Sequence, residues 1–333
     1  METPVEYAYA ATKNIARAAA LLRQGELVGF PTETVYGLGA DACNDAAVAQ
    51  IFAAKGRPSE HPLIVHLASA AQAEEFAQSL PPFALKLMQA FWPGPLSLIV
   101  PRRPGVATAA AGGQASVGLR CPAHPMARAL LQAALAQGVS GVAAPSANRF
   151  GKLSPTTAQH VRDELGAQLF VLDGGACAVG IESCIVDCTR AAPVLLRPGM
   201  LSVAEIERAC GITVLLPQDA EGAAPRASGT LESHYAPQAT LRLMDAKALQ
   251  TALDLLGPDA KNIAVYARAV LRSRSAATLL RRMPDDAAAT AQQLFAVLRS
   301  FDEQGAKLIW VEAPPWDAAW DGVRDRLQRA AAA

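Results

Sequence analysis

The stretch of residues 27–58, LVGFPTETVYGLGADACNDAAVAQIFAAKGRP, most constrains the fold of this chain. Its apolar start, residues 27–30, predicts a short buried strand that ends at Pro31, because proline cannot donate a hydrogen bond to a sheet. A strand that ends there delivers the polar residues 32–34 (Thr-Glu-Thr) to an open sheet edge. The two glycines of segment 37–39 then predict a tight backbone turn.

The second half of this stretch predicts a helix with a basic exit. Asn44 or Asp45 can cap its start, and Gly56 can end it, since glycine readily adopts the left-handed conformation. Lys55 and Arg57 therefore lie at the helix C-terminus, where the helix dipole favours cations. The pattern places two positive charges opposite a loop that carries hydroxyl groups and one carboxylate.

The rest of the chain alternates short apolar strands with Ala-rich amphipathic helices, which predicts an α/β fold. A helix capped at Thr12 is expected before the first strand. Residues 218–238 lack hydrophobic periodicity and are rich in small and turn residues, so they predict a linker with a functional role. We expect one domain over residues 1–217 and a small open α/β domain over residues 239–333.

Composition argues against several classes of protein. Lysine plus arginine and aspartate plus glutamate both number 30, so the chain lacks the positive charge of a general nucleic-acid binder. The six cysteines are dispersed without a CxxC pair, which favours reduced thiols over a zinc site. No apolar run approaches about 18 residues, and the N-terminal sequence METPVEYAYA lacks the plan of a signal peptide. We expect a cytoplasmic protein that does not cross a membrane.

Three polar clusters each follow a predicted strand, where open α/β sheets bind ligands. They are Thr32 to Thr34 with Lys55 and Arg57, then Ser146 and Asn148 with Ser154, and then Glu182 and Ser183 leading to Arg197. Guanidinium groups beside hydroxyl groups suit phosphate oxygens. The chain nevertheless lacks a GxxxxGK[ST] phosphate loop, a complete dinucleotide fingerprint and a GxSxG nucleophile motif.

Each of these residues alone also has an ordinary structural explanation. A lysine at a helix end, such as Lys55, is usually solvated and complements the helix dipole. Ser146, Ser183 and Asn148 suit turns and caps, and His66 at a strand end fits a core position as well as a site. Spacing alone leaves open a phosphate-ligand enzyme and an anion-binding module.

Six motifs occur in order along the first 217 residues, and together they carry a family resemblance. They are FPTETVYGLGADA, KGRPxxxPLIVH, SVGLRCP, APSANxxGxxSPT, GIES and LLRPG, and SHYAP follows in the linker. The chain resembles the Sua5/YrdC/YciO family of L-threonylcarbamoyladenylate synthases in its long, two-domain Sua5 form. That resemblance implies a YrdC-like twisted open mixed sheet with helices, followed by a small Rossmann-like C-terminal domain.

The resemblance also implies roles for individual residues. A basic and polar catalytic set falls on Lys55, Arg57, Ser146 and Asn148. Threonine binding falls on Thr34, His66, Arg120, Ala144 and Ser183. ATP binding falls on Arg57, His61, Ser116, Ser146, Ser154, Arg197 and Tyr235, and no residue is assigned as a metal ligand.

Members of this family convert L-threonine, bicarbonate or CO₂, and ATP into threonylcarbamoyl-AMP and pyrophosphate. The resemblance implies Mg²⁺ that arrives with ATP rather than on dedicated protein ligands. It also implies a downstream threonylcarbamoyl transferase complex that acts on tRNA to form t⁶A. We expect the linker to fold over the nucleotide, with Tyr235 as its cover, so that water is excluded from a hydrolysable product.

Two positions depart from the family pattern. His61 stands where the family commonly has asparagine, and Cys184 replaces a threonine, for which we expect only a packing effect.

Two other functions compete with the synthase. One is a double-stranded RNA or tRNA-binding module without synthase activity, against which the neutral charge of the chain argues. The other is a carbamoyl-transferring maturation enzyme, which would be expected to bring acylphosphatase-like and zinc-finger segments.

Overall fold

The computed structural model describes residues 4–269 and 271–333, which form two α/β units joined by the linker. The first part contains helices α1 to α7 and strands β1 to β9. In chain order these are α1 Pro4–Arg23, β1 Val28–Phe30, β2 Gly37–Asp41, α2 Asp45–Lys55, β3 Ile64–His66, α3 Ala73–Phe76, α4 Pro82–Phe91, β4 Leu96–Pro101, β5 Ser116–Arg120, α5 Pro125–Leu135, β6 Val142–Ala143, α6 Ala158–Leu165, β7 Phe170–Val171, β8 Cys184–Asp187, β9 Val194–Arg197 and α7 Val203–Cys210.

The C-terminal part repeats the alternation on a smaller scale. Its elements are β10 Thr240–Met244, α8 Ala246–Leu256, β11 Ile263–Ala267, β12 Leu279–Arg282, α9 Ala287–Glu303, β13 Leu308–Glu312 and α10 Asp321–Ala331. These strands form a parallel sheet in the order β10-β13-β11-β12. Helices therefore connect parallel strands, as in a small Rossmann-like unit.

Within the described residues, the larger sheet has nine strands in the order β7-β1-β2-β6-β3-β5-β4-β8-β9. It is mixed, since β1 and β2 are antiparallel whereas β3 and β5, and β4 and β8, are parallel. The predicted combination of a mixed sheet with a smaller α/β domain is thus confirmed. No helix among the described residues is both long and apolar enough for a membrane span.

The caps predicted for α2 are confirmed. The side chain of Asn44 accepts a hydrogen bond from the amide of Ala47 at 3.1 Å, and Gly56 ends the helix with a left-handed φ of 62°. Because these residues fix both ends of α2, the helix terminus carries Lys55 and Arg57 into the interior rather than into solvent, and both are buried.

Segment 37–39 is a correction to the sequence prediction, because it lies in strand β2 and does not form a tight turn. Its glycines serve close packing instead. A Cβ on Gly39 would lie 2.8 Å from Val142 Cγ1 and 2.9 Å from Phe30 Cε1. The missing side chain therefore lets the ring of Phe30 and the neighbouring strand approach the backbone of β2.

Smaller differences concern element ends. Helix α1 begins at Pro4, so Thr12 lies inside it and is not its cap. After Ser69 the chain forms a 3₁₀ turn, Ala70–Gln72, with a capping box, followed by the single turn of α3. The sequence does not predict strand β12, because its apolar part is limited to Leu279 and Leu280 and three of its four residues are exposed at the sheet edge.

The two domains share an apolar cluster. Val35 and Ile181 from the first domain and Tyr235 from the linker pack with Leu294 and Phe295 of α9. All five residues are buried. Because the cluster contains residues that flank the polar loops, the C-terminal domain packs directly beneath the region where the site was predicted.

The linker crosses the ends of the central strands. Arg226 donates from its amide to the Gln114 side chain at 2.8 Å, and the Ser228 hydroxyl donates to the carbonyl of Pro62 at 2.7 Å. The amide of Ala236 donates to the carbonyl of Gly151 at 2.8 Å. The linker is thus held against the first domain at its middle and near its C-terminal end.

The substitution Gly39→Ala is expected to lower the free energy of unfolding by about 1–3 kcal/mol, because it forces overlap in a closely packed core. Urea unfolding measures this change. Gly118→Ala on β5 is the matched control, because its Cβ would meet Ile64 only at an ordinary 3.5 Å. Equal stability of the two variants would contradict the packing explanation.

Candidate active site

A cavity of about 530 Å³, counted with its open mouth, lies where the ends of the central strands meet the linker. Its walls come from the loop after β1, from β3, β5 and β9, from the loops around Ser146 and Ser183, and from the linker. Of the residues predicted for the site, Thr34, Arg57, His66, Arg120, Ala144, Ser146, Ser183, Arg197 and Tyr235 line this cavity. The polar clusters that are distant in the sequence therefore converge.

One wall of the cavity is organised by Arg120. This guanidinium pairs with Glu33 Oε1 at 2.6 Å and donates to Thr34 Oγ1 at 2.9 Å. Burial alone would raise the pKa of Glu33, but the attraction of Arg120 outweighs it and the pKa is lowered. Glu33 is therefore ionised, and it holds Arg120 in place at the end of β5.

The hydroxyl group of Thr34 has a defined direction. The single proton of Thr32 Oγ1 is donated to the carbonyl of Val35 at 2.7 Å. The 2.8 Å contact between the two threonine hydroxyls therefore has Thr34 as the donor. Because Arg120 already donates to Thr34 Oγ1, that oxygen offers the cavity an acceptor lone pair and not a proton.

His66 is neutral in the physiological range. Burial, followed by the repulsion of Arg120, lowers its pKa to about 3. Its ring packs edge-on against Phe30, and Nδ1 makes no hydrogen bond to any described residue. A neutral imidazole with an unpartnered nitrogen at the cavity wall is suited to a substrate hydrogen bond rather than to charge pairing.

Two arginines of the cavity wall, Arg57 and Arg197, hold the same linker residue. Arg57 Nη2 donates to Ser228 Oγ at 3.1 Å and to the carbonyl of Pro62 at 2.9 Å. Arg197 Nη1 donates to the carbonyl of Ser228 at 2.8 Å, while its Nη2 donates to that of Ser183 at 2.9 Å. Neither arginine is neutralised by a carboxylate in these contacts, so both retain positive charge for an anion.

Lys55 lies behind the wall formed by Ser146. Its ammonium donates to the carbonyl of Ser146 at 2.6 Å and to that of Asn148. Burial, followed by the repulsion of Arg57, lowers the pKa of Lys55 well below its usual value. The Asn148 amide donates to the carbonyls of Arg149 and Lys152, so its side chain shapes this loop. Lys55 therefore joins α2 to the loop after β6.

Ser154 and Glu182 form a buried pair at the base of the cavity. The Ser154 hydroxyl donates to Glu182 Oε1, and Glu182 Oε2 pairs with Arg326 of the C-terminal domain at 2.8 Å. Burial would raise the pKa of Glu182, but Arg326 and then Arg197 lower it, with a net decrease. The hydroxyl of Ser154 is thus committed to a carboxylate.

A second cavity of about 310 Å³ adjoins the first one and shares Ile64 and Ser228 with it. Ser116, which was predicted to bind ATP, lines this second cavity together with Ile99 and Ile185. The hydroxyl of Ser97 also lines it and lies 2.8 Å from that of Ser183 in the first cavity. The two cavities therefore meet across the Ser97 and Ser183 pair.

His61 lies outside both cavity walls, at the end of a row of rings. It packs edge-on against Phe150, with ring centroids 5.4 Å apart, and Phe150 packs in the same way on His234 at 5.8 Å. His234 contacts Tyr235, which stacks on Phe295 of α9 at 5.6 Å. The row connects the loop after α2 with the linker and the C-terminal domain.

Sequence reasoning missed several residues that build the site. Glu33 and Glu182 were seen only as members of polar clusters, and their roles as partners of buried arginines depend on contacts between distant segments. Ser228 and Gly229 carried no signal beyond the linker composition. Arg326 lies in a helix with several other charged residues, and no sequence pattern distinguishes it from them.

Comparison with known proteins places this arrangement in a family. A family profile described as telomere recombination (Sua5, YciO and YrdC) matches residues 20–199, more than half of the chain. The chain belongs to the Sua5/YrdC family. A second profile, described as the C-terminal domain of threonylcarbamoyl-AMP synthase, matches residues 201–332. This family membership confirms the resemblance carried by the six ordered motifs.

Relatives match over nearly the whole chain. A threonylcarbamoyl-AMP synthase of Bacillus subtilis is 38% identical over 95% of this chain and 92% of its own length. One of Pyrococcus abyssi is 36% identical over 94% of this chain and 92% of its own length. The solved structure of P. abyssi Sua5 complexed with L-threonine superposes with a TM-score of 0.85 at 36% identity, covering 95% of this chain and 94% of that one.

The buried histidines predict a stability that falls on acidification. The pKa values of His66 and His234 are both lowered to about 3, mainly by burial, so the folded chain binds fewer protons than the unfolded chain below about pH 6.5. The free energy of unfolding should fall by about 1–2 kcal/mol per histidine between pH 6.5 and 5. Urea unfolding across this range measures it.

The histidine origin of that loss has its own control. His66→Gln should flatten the pH dependence by roughly one proton, while His61→Gln, at a partly exposed position, should flatten it less. An unchanged slope in His66→Gln would assign the acid sensitivity to other groups.

Proposed function

We propose that this protein is a threonylcarbamoyl-AMP synthase that uses L-threonine, CO₂ or bicarbonate, and ATP, and releases pyrophosphate. The observation that carries the proposal is one cavity with two chemically different walls. One wall combines Arg120, Thr34 and neutral His66, and the other holds Arg57 and Arg197. The first suits a small amino acid and the second suits phosphate oxygens. The names of the relatives are consistent with this assignment.

The threonine subsite follows from the donors and acceptors that remain unused. Arg120 keeps N–H groups beyond those bound to Glu33, Thr34 and Gly94, and these can hold a substrate carboxylate. The remaining lone pair of Thr34 Oγ1 can accept a hydrogen bond from the substrate amine or hydroxyl. Ala144 and Ser183 complete a small enclosure, which would favour threonine over larger amino acids.

The nucleotide subsite extends from the cationic wall into the second cavity. Arg57 and Arg197 would neutralise the phosphates. The apolar walls at Ile99 and Ile185, with Ser116 beside them, would take the base. The two subsites meet at Ser183, so the α-phosphate would lie next to the threonine amine. His61, Ser146, Ser154 and Asn148 stay predicted site residues. Of these, the structure places only Ser146 on the cavity wall.

The chemical step is the attack of a carbamate on phosphorus. The threonine amine adds to CO₂ and releases a proton to the solvent, which gives a carbamate anion. A carbamate oxygen then bonds to the α-phosphorus while the bond to pyrophosphate breaks. Because the nucleophile is already anionic, the protein contributes orientation and neutralisation of phosphate charge rather than a general base.

We also propose that Mg²⁺ enters with ATP. The two carboxylates nearest the cavity are each committed to an arginine, Glu33 to Arg120 and Glu182 to Arg326. Among the described residues, no group of three or more His, Cys, Asp or Glu side chains could hold a metal ion. The cation would therefore be held by phosphate oxygens and water, and it supplies charge neutralisation at the leaving group.

Two further parts of the proposal concern the setting of the reaction. The linker would act as a lid over the nucleotide, with Tyr235 buried at its root. The product would pass, in the cytoplasm, to a transferase complex that modifies tRNA. Weak RNA binding by this chain would serve that transfer, although its equal numbers of acidic and basic residues limit the strength of binding.

The test is pyrophosphate release from ATP by the purified chain. Release should require both L-threonine and bicarbonate, and the product should be AMP linked through a carbamoyl group, identified by mass spectrometry. RNA binding without such release would instead support the binding module. Release of pyrophosphate that is independent of threonine would overturn the proposed substrate.

The variant Lys55→Met should lower pyrophosphate release by about a hundredfold or more, because it removes a buried cation and the tie to the loop of Ser146. Lys152→Met is the matched control, since Lys152 is an exposed lysine of the same loop. Single-turnover rates at saturating substrates measure the difference. Equal rates in the two variants would remove Lys55 from the catalytic set.

A further inference from the structure

The C-terminal domain inserts a buried cation beneath the active site. Arg326 of α10 is 1% exposed. Its Nε lies 2.8 Å from Glu182 Oε2, and its Nη2 donates to the carbonyl of Glu182 at 3.2 Å. Nη1 donates to the carbonyl of Pro198 at 2.9 Å. One guanidinium therefore binds the segments that carry Ser183 and Arg197, which both line the first cavity.

Glu182 also contacts a third segment, the one that carries Ser154. Its second carboxylate oxygen accepts a hydrogen bond from the hydroxyl of Ser154, so both oxygens of Glu182 have buried partners. Glu182 itself lines the cavity beside Ser183. A buried carboxylate is costly unless it is paired, and the facing guanidinium of Arg326 is the cation with which it forms a salt bridge.

A second contact between the domains acts on the threonine wall. Helix α9 packs so closely on Gly180 that a Cβ there would collide with the carbonyl oxygen of Ala291. The amide of Gly180 donates to the carbonyl of Thr34 at 3.1 Å, and that of Val179 donates to the carbonyl of Glu33 at 2.8 Å. The C-terminal domain thus supports the loop that bears Thr34 as well.

Arg326 also contacts Tyr235, which lies near the C-terminal end of the linker. Its guanidinium carbon lies 5.2 Å from the centroid of the Tyr235 ring, and the same ring stacks on Phe295. Tyr235 is buried between the two domains, and its position depends on the cation below it.

We propose that the C-terminal domain is a working part of the active site, and that Arg326 is its positioning residue. Arg326 fixes Glu182, and through it the cavity residue Ser183, relative to Arg197 and Tyr235. This inference rests on the proposed synthase function for its substrate. It gives the C-terminal domain a role beyond that of an anchor for the lid.

The competing explanation is that Arg326 only holds the domains together. Arg299 separates the two explanations, because it also crosses the interface. It pairs with Glu164 at 2.9 Å and donates to the carbonyl of Leu153, and it contacts no residue that lines the first cavity. Loss of Arg299 therefore weakens docking without acting directly on the site.

The experiment compares Arg326→Met with Arg299→Met in the full chain. Titration calorimetry gives the dissociation constant for L-threonine, and steady-state assays give KM and kcat for pyrophosphate release. Urea unfolding gives the stability that the contact between the two domains contributes. Arg326→Met should weaken threonine binding and raise KM by about tenfold to a hundredfold, as expected for misplaced binding groups. Arg299→Met should lower stability and leave both values within about twofold.

Arg326→Lys keeps the buried charge, so it decides the question if Arg326→Met does not fold. Lysine cannot donate to Glu182 and Pro198 as the guanidinium fork does, and a rise of about threefold or more in the threonine dissociation constant is expected. Equal threonine binding in the folded Arg326 and Arg299 variants, or unchanged binding in Arg326→Lys, would overturn the positioning role.

A measurement without ligand separates this inference from the proposed function. Amide hydrogen exchange over residues 180–184 should accelerate in Arg326→Met and not in Arg299→Met. If the unmodified chain binds no threonine, the synthase proposal fails while the exchange data still test the positioning. If the chain is active and exchange over this segment is unchanged, the positioning role fails while the function stands.

Discussion

The structure of the site depends on an excess of buried positive charge. Lys55, Arg57, Arg120, Arg197 and Arg326 are buried around the cavity, and the carboxylates buried with them are Glu33 and Glu182. Glu33 pairs with Arg120, and Glu182 and Asp325 pair with Arg326, whereas Lys55, Arg57 and Arg197 donate mainly to carbonyl oxygens. Carbonyl groups satisfy hydrogen bonds without cancelling charge, so the attraction for a polyanion remains.

This division of charge separates the two tasks of the site. In the proposed function, Arg120, which is paired with Glu33, would provide a rigid, directional contact for a small zwitterion, and the cations without a carboxylate partner would attract phosphates. The hydroxyl pair of Thr32 and Thr34 adds direction at the first of these places. A site with this arrangement would bind the amino acid through directed hydrogen bonds and the nucleotide through charge attraction, so each could be recognised without disturbing the other.

The sequence predicted most of what depends on local rules. The Asn44 and Gly56 caps follow from helix chemistry, and the strand that ends at Arg120 follows from its apolar run. The family resemblance supplied the identities of the site residues. Features that depend on contacts between distant segments could not be predicted. They are the close approach of the Phe30 ring to Gly39, the binding of Ser228 by Arg57 and Arg197, and the pairing of Glu182 with Arg326.

The close backbone contact between the domains has an evolutionary consequence. Gly322 of α10 faces the carbonyl oxygen of Gly199 so closely that a Cβ would lie 2.6 Å from it. A methyl group added at Gly322 would overlap that carbonyl oxygen, so it would force α10 and the loop at Gly199 to move apart. At this contact, substitutions in the C-terminal domain are therefore tolerated only when the first domain accommodates them.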